Sequence, residues 1–133
     1  MWKTPEDTAT LNVMIADDEA AMRELVRRFL SDKRFNLIEA ANGKDALAAV
    51  PDASALHLLI TDEMMPEMEG HELSRRFRMQ NPDLRVLYLT GYSERLFEAK
   101  DRMWDLEAYL DKPFTQKSLN EAVALLMTGK LSF

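Results

Sequence analysis

Five short apolar runs alternate with amphipathic stretches along the chain, and this alternation narrows the possible folds more than any other feature. The runs are Leu11–Ala16, Phe35–Ala40, residues 56–60 leading into Asp62, Arg85–Thr90 and residues 107–110. The first, with β-branched Val13 and Ile15, suits a strand buried on both faces. Behind it, Met22, Leu25, Val26, Phe29 and Leu30 fall at i, i+3, i+4, i+7 and i+8, one continuous helical stripe. Further helices are expected from Asn42-Gly43 through Val50, over residues 70–80 where Leu73 and Phe77 are four apart, and from Ser93 to Trp104, where the pattern is weakest. A last helix is expected over residues 115–127, with Leu119, Ala122, Val123, Leu126 and Met127 on one stripe. Strands and helices alternating through short connections require right-handed crossovers, and hence a parallel sheet covered on both faces. The predicted class is α/β: a three-layer sandwich with a five-stranded parallel sheet and five helices.

At 133 residues the chain suits one domain, expected over residues 11–127. Residues 1–10 read as a polar, flexible lead-in and residues 128–133 as a tail. Seventeen Lys and Arg against 23 Asp and Glu leave a net charge of -6, which repels nucleic acid phosphates, so no direct nucleic acid binding is expected. The basic groups Arg23, Arg27, Arg28 and Arg75, Arg76, Arg78 sit at helical spacing among acids and read as solvated helix faces. Without cysteine there are no disulfides, thiolate metal sites or cysteine nucleophile, and the composition fits a reducing compartment. No apolar run approaches the ~20 residues that cross a bilayer, and residues 1–10 lack a signal-peptide core, so the expected location is the cytoplasm with no membrane contact.

In an open parallel sheet, chemistry collects outside the carboxyl ends of the strands. Asp17 and Asp18 follow the first strand, Asp62 ends the third, Thr90 ends the fourth, and Lys112 lies just past the fifth. Each has a plainer use: an Asp pair before a helix is commonly a cap and dipole partner, Asp62 can cap a loop, Thr90 can satisfy its hydroxyl locally, and Lys112 can be a solvated charge. Their occurrence at successive strand ends favours a joint role. Three crowded carboxylates repel one another, and a hard divalent cation relieves this; oxygen ligands without His or Cys suit Mg²⁺. A phosphoryl group arriving there would meet a carboxylate nucleophile, a cation, an ammonium and a hydroxyl donor, which is what phosphoryl transfer asks of a site.

The segments VMIADDE, ITDEMMPEMEG, LTGY and YLDKPF, in this order, resemble the receiver domain of two-component response regulators over residues 11–127. Spacings of 44 residues from Asp18 to Asp62, 28 from Asp62 to Thr90 and 22 from Thr90 to Lys112 agree with the family pattern. The resemblance implies a flavodoxin-like receiver fold with strand order 2-1-3-4-5. It implies that Asp62 accepts a phosphoryl group from a histidine kinase or histidine phosphotransfer protein, and that Asp17, Asp18, Asp62 and the Met64 backbone carbonyl hold Mg²⁺. It further implies that Lys112 pairs with a phosphoryl oxygen before a cis Lys112–Pro113 bond. Thr90 and Tyr109 would form the switch, and the last helix, last strand and the helix before it would be the output face. Such a domain is a signalling module and no enzyme in its own right, monomeric or weakly dimeric on phosphorylation.

Met64, two after Asp62, and Tyr92, two after Thr90, lack a carboxylate or amide to orient water, so slow loss of the phosphoryl group is expected. Glu63 is expected to face solvent, Tyr109 reads equally as a static core aromatic, and Trp104 is a candidate exposed partner contact. The wording LYLTGYSE is closer to receivers attached to sensor kinases than to DNA-binding regulators. A haloacid dehalogenase type aspartyl-phosphate hydrolase would need Asp-x-Asp at the first strand, which is not found here. A nucleotide- or flavin-binding module would need a phosphate loop where Asp17, Asp18 and Glu19 stand. A degenerate receiver serving only as an interaction module remains the other alternative.

Overall fold

The computed structural model describes residues 10–32, 34–91, 96–97 and 106–133. Five strands, β1 (Leu11–Ala16), β2 (Phe35–Ala40), β3 (Leu58–Asp62), β4 (Arg85–Thr90) and β5 (Glu107–Asp111), form one sheet in the order β2-β1-β3-β4-β5. Every neighbouring pair is parallel, with registers such as Ala16↔Thr61, Asp62↔Leu89 and Thr90↔Asp111. The three central strands β1, β3 and β4 are almost wholly buried, as expected of a sheet with helices on both sides. Four helices are described: α1 (Ala20–Phe29), α2 (Gly43–Ala49), α3 (Gly70–Gln80) and α4 (Gln116–Thr128).

The sheet divides the core in two. Met14, Leu59, Val86 and Tyr88 pack with Leu73 and Phe77 of α3 and Ala46 of α2 on one side. Val13, Ile15, Ile60, Leu87 and Leu89 pack with Val26 of α1 and Leu119 and Val123 of α4 on the other. Alternation along each strand sends successive side chains to these opposite layers. The stripe predicted for α1 is the one that turns inward, with Val26 and Leu30 buried.

Local signals set the helix ends. The Asn42 side chain accepts from the Asp45 N–H at 2.7 Å and starts α2. Thr115 and Ser118 form a reciprocal capping box at the start of α4, and Gly129, at φ 78°, closes that helix in the left-handed region. The connection between α2 and β3 contains a 3-10 turn, Ala53–Ala55, capped by Asp52. The third strand begins at Leu58 and not at Leu56, because His57 Nδ1 is taken up as acceptor for the Asn12 N–H at 2.9 Å. Of the helix expected from Ser93 to Trp104, Leu96 and Phe97 are helical; the remainder, with Tyr92 and Trp104, lies outside the described residues. The expected lead-in lies outside them too, apart from Thr10. Among the described residues no helix is long and apolar enough to cross a membrane.

Candidate functional site

Parallel pairing brings the carboxyl ends of β1, β3, β4 and β5 to one edge. Asp17 leaves β1 with its N–H on the Ala40 carbonyl at 3.1 Å, and the Lys112 N–H reaches the Thr90 carbonyl at 2.9 Å. Asp62 is the last residue of β3 and Thr90 the last of β4. Asp17, Asp62 and Thr90 are buried, while Asp18 is exposed at the rim. One carboxylate oxygen from each of Asp17, Asp18 and Asp62 lies within 4.8 Å of the others. Lys112 Nζ stands 3.1 Å from Asp17 Oδ2 and 3.6 Å from Asp62 Oδ2, so a single ammonium spans two of the three acids. The Lys112–Pro113 peptide bond is cis.

Asp17 is fastened from two directions. Its Oδ1 accepts from the Glu19 N–H at 2.9 Å, and Arg23 Nη1 donates to its carbonyl at 2.6 Å. Asp62 Oδ1 accepts from the Met64 N–H at 3.3 Å. Burial pushes the Asp62 carboxyl up to about 6; Lys112 and the Met64 N–H work against this, and Asp17 and Asp18 reinforce it. One ammonium therefore does not neutralise the cluster, and the remaining negative charge favours a cation. The donor set is all carboxylate oxygen, with the main chain of Met64 close by, which is the ligand chemistry of a hard divalent ion and not of zinc or copper.

Two expectations are corrected. Glu63 does not face solvent: it is 0% exposed, because the residue after Asp62 points to the opposite side of the extended chain, beneath α3. Its Oε1 accepts from the His71 N–H at 2.8 Å, and its Oε2 lies 2.6 Å from His71 Nδ1. Burial raises the Glu63 carboxyl above its usual range, and the bonds from His71 pull it back. Tyr109 is no static core aromatic: it is 41% exposed and its ring meets Phe97 edge-on, with centroids 5.2 Å apart. Of the basic clusters, Arg27, Arg28, Arg75 and Arg76 are solvated as expected, whereas Arg23 and Arg78 are partly buried, Arg23 on the Asp17 carbonyl and Glu39 and Arg78 donating to the Leu84 carbonyl at 2.9 Å. Arg75 and Arg76 both bind Glu72, at 2.7 and 2.9 Å, and Arg27 binds Glu39 at 3.2 Å.

Sequence reasoning missed the close approach at Gly70 and the Glu63–His71 pair. A Cβ on Gly70 would meet the backbone of Asp62 and Glu63. The available signal was strand parity, which places Glu63 opposite Asp62, together with a His at the second position of the following helix.

The response regulator receiver domain model matches residues 13–124. The chain belongs to that family. The sensor kinase CckA of Brucella abortus (strain 2308) is 31% identical over 123 residues, covering 91% of this chain and 13% of CckA. The response regulator receiver protein CpdR of the same strain is 32% identical over 119 residues, covering 88% of this chain and 98% of CpdR. In three dimensions the chain is similar to the crystal structure of the receiver domain of the hybrid histidine kinase CckA, with a TM-score of 0.73 and 27% identity over 88% of this chain and 99% of that one. The chain spans a small part of CckA and about half the length of other curated relatives such as VanRB of Enterococcus faecalis. This receiver domain is a part of two-component signalling, and the rival hydrolase reading has no support among the matches.

Proposed function

We propose that Asp62 is the phosphoacceptor of this receiver, taking a phosphoryl group from a phosphohistidine on a histidine kinase or histidine phosphotransfer protein. The supporting observation is the convergence of the Asp17, Asp18 and Asp62 carboxylates with Lys112 Nζ bridging two of them. Asp17, Asp18, Asp62 and the Met64 carbonyl would hold Mg²⁺, which when bound supplies charge neutralisation for the incoming phosphoryl oxygens. Asp62 attacks phosphorus through a carboxylate oxygen; the new O–P bond forms as the P–N bond to the donor imidazole breaks, and the departing imidazole takes a proton from solvent. Lys112, released from Asp62 as that carboxylate becomes an acyl phosphate, pairs with a phosphoryl oxygen. Arg23 and the Glu19 N–H keep Asp17 in place throughout.

The output is a two-state switch set by a local change of charge. Thr90, buried at the end of β4, donates its hydroxyl to the phosphoryl group, and Tyr109 leaves its exposed position against Phe97 for the space this frees. The surface altered is that of β5, α4 and residues 93–104, where a downstream protein would bind. The domain acts in the cytoplasm as a monomer or weak phosphorylation-dependent dimer. Incubation with a small phosphodonor and Mg²⁺, followed by intact mass, tests the proposal: wild type gains one phosphoryl group and Asp62→Asn gains none. A folded wild type that never gains that mass, or an Asp62→Asn variant that gains it equally, overturns it.

A further inference from the structure

Glu63 follows the acceptor directly, yet its side chain is aimed away from the strand-end edge and is completely buried. A carboxylate in that position is costly unless its oxygens are taken up. Both are, and by the same residue: the main-chain N–H of His71 on Oε1 and the imidazole Nδ1 beside Oε2. The Glu63 carbonyl also accepts from the Gly70 N–H at 3.0 Å. Glu69, the N-cap of α3, makes no side-chain cap bond, so Glu63 supplies from the end of β3 the acceptor that a helix start ordinarily takes from its own cap. Ligand atoms of Glu63, Glu69 and His71 lie within 4.8 Å of one another, but with both Glu63 oxygens engaged by α3 the group is a fastening and not an open site.

These bonds tie both ends of segment 63–71. Inside it the chain is tightly turned: Glu67 sits at φ 69°, and the Met68 N–H reaches back to the Pro66 carbonyl at 2.7 Å. Met64 is the first residue within the clasp, and its N–H is already on Asp62 Oδ1. The direction of its carbonyl therefore depends on how firmly residue 63 is held.

We propose that Glu63, clasped to His71, is a positioning residue that fixes the Met64 main chain and so presets the cation site beside Asp62. It rests on the receiver reading of Asp17, Asp18 and Asp62 given above. A ligand oriented before the cation arrives loses no conformational freedom on binding, and removing such supporting partners typically costs about 10–100-fold in metal affinity. An apolar residue at 63 could fill the space beneath α3 but would leave the His71 N–H without its acceptor, and the segment's link to the start of α3 would rest on the Gly70 bond and on the packing of Met65 and Met68.

Calorimetric titration of the intact chain with MgCl₂, run beside the Mg²⁺ dependence of phosphorylation by a small phosphodonor, tests this. Glu63→Val is expected to weaken Mg²⁺ binding about tenfold or more and to raise the half-saturating Mg²⁺ concentration in step, while the rate at saturating Mg²⁺ changes far less. Glu63→Gln, which keeps two hydrogen-bonding groups on the same frame, restores most of the affinity. His71→Ala, in which the main-chain N–H survives, shows a smaller loss and serves if Glu63→Val does not fold. Wild-type affinity in a folded Glu63→Val, or in His71→Ala where the Val variant is unfolded, overturns the proposal, as does a Gln variant no tighter than the Val one. A wild type that takes up no Mg²⁺ at all fails differently: it removes the cation site itself.

Discussion

Replacing Gly70 by Ala strikes the joint between β3 and α3 with a single methyl group. The added Cβ would sit well inside contact with the Asp62 carbonyl oxygen, and 3.1 Å from both the Asp62 carbonyl carbon and Glu63 Cα. These are backbone atoms of the acceptor strand, so no side-chain rotation relieves the clash. An ordinary C···O approach is about 3.3 Å, which requires α3 or the end of β3 to retreat by about 1 Å. Overpacking of this kind costs ~1–3 kcal/mol, and at the first residue of α3 the gain of Ala over Gly stays below the ~1 kcal/mol of a helix interior, leaving a net loss of ~0.5–2.5 kcal/mol. The functional effect is larger. Misplacing a reacting group by ~1 Å can cost ~10²-fold in rate, because the stored orientation is lost. Urea denaturation measures the first quantity, and the phosphorylation rate at saturating phosphodonor and Mg²⁺, read by intact mass, measures the second. Gly91→Ala is the control, since nothing lies within 4 Å of a Cβ there, and its stability should stay within ~0.5 kcal/mol of wild type. A Gly70→Ala protein with wild-type stability and wild-type rate would refute the reasoning.

Two further outcomes follow from the site. Because burial holds the Asp62 carboxyl at about 6 against 3.8 for a free Asp, the folded chain binds that proton more tightly than the unfolded one. Its stabilising contribution is complete below pH 3.8, on the order of 2–3 kcal/mol, and is lost as pH rises through about 6. In Mg²⁺-free buffer, urea midpoints of wild type should therefore fall relative to those of Asp62→Asn across that window, and parallel pH profiles for the two proteins would contradict it. Met64 offers no group to orient water beside the acceptor, so Met64→Asn should shorten the phosphoryl lifetime several-fold; intact-mass decay after removal of the phosphodonor measures it, and an unchanged half-life would count against the expectation.

Element type and order were legible in the sequence because they depend on local pattern. Apolar runs, the helical stripe of α1, the Asn42 cap and the Thr115 start of the last helix all act within a few residues, and their alternation leaves a parallel sheet as the way to bury them. The acids, hydroxyl and amine at the strand ends could be picked out for the same reason: each stands at the end of a run that is itself recognisable. Residue 63 shows where local reading failed. Its neighbours in sequence suggest an exposed loop acid, but its fate is set by α3, which folds over it and presents the His71 N–H.

Sequence alone thus determined which elements form, which strand ends carry reactive groups, and the family pattern those groups follow. Tertiary structure decided what each group experiences: that one ammonium spans Asp17 and Asp62, that Asp62 is desolvated enough to raise its pKa, that Glu63 is clasped, and that Tyr109 stands outside against Phe97. The physical reason is range. Hydrogen-bond periodicity and capping act over one or two turns of chain, whereas desolvation and Coulomb interactions depend on distances between residues as far apart in sequence as Asp17 and Lys112, and those distances exist only once the sheet has closed.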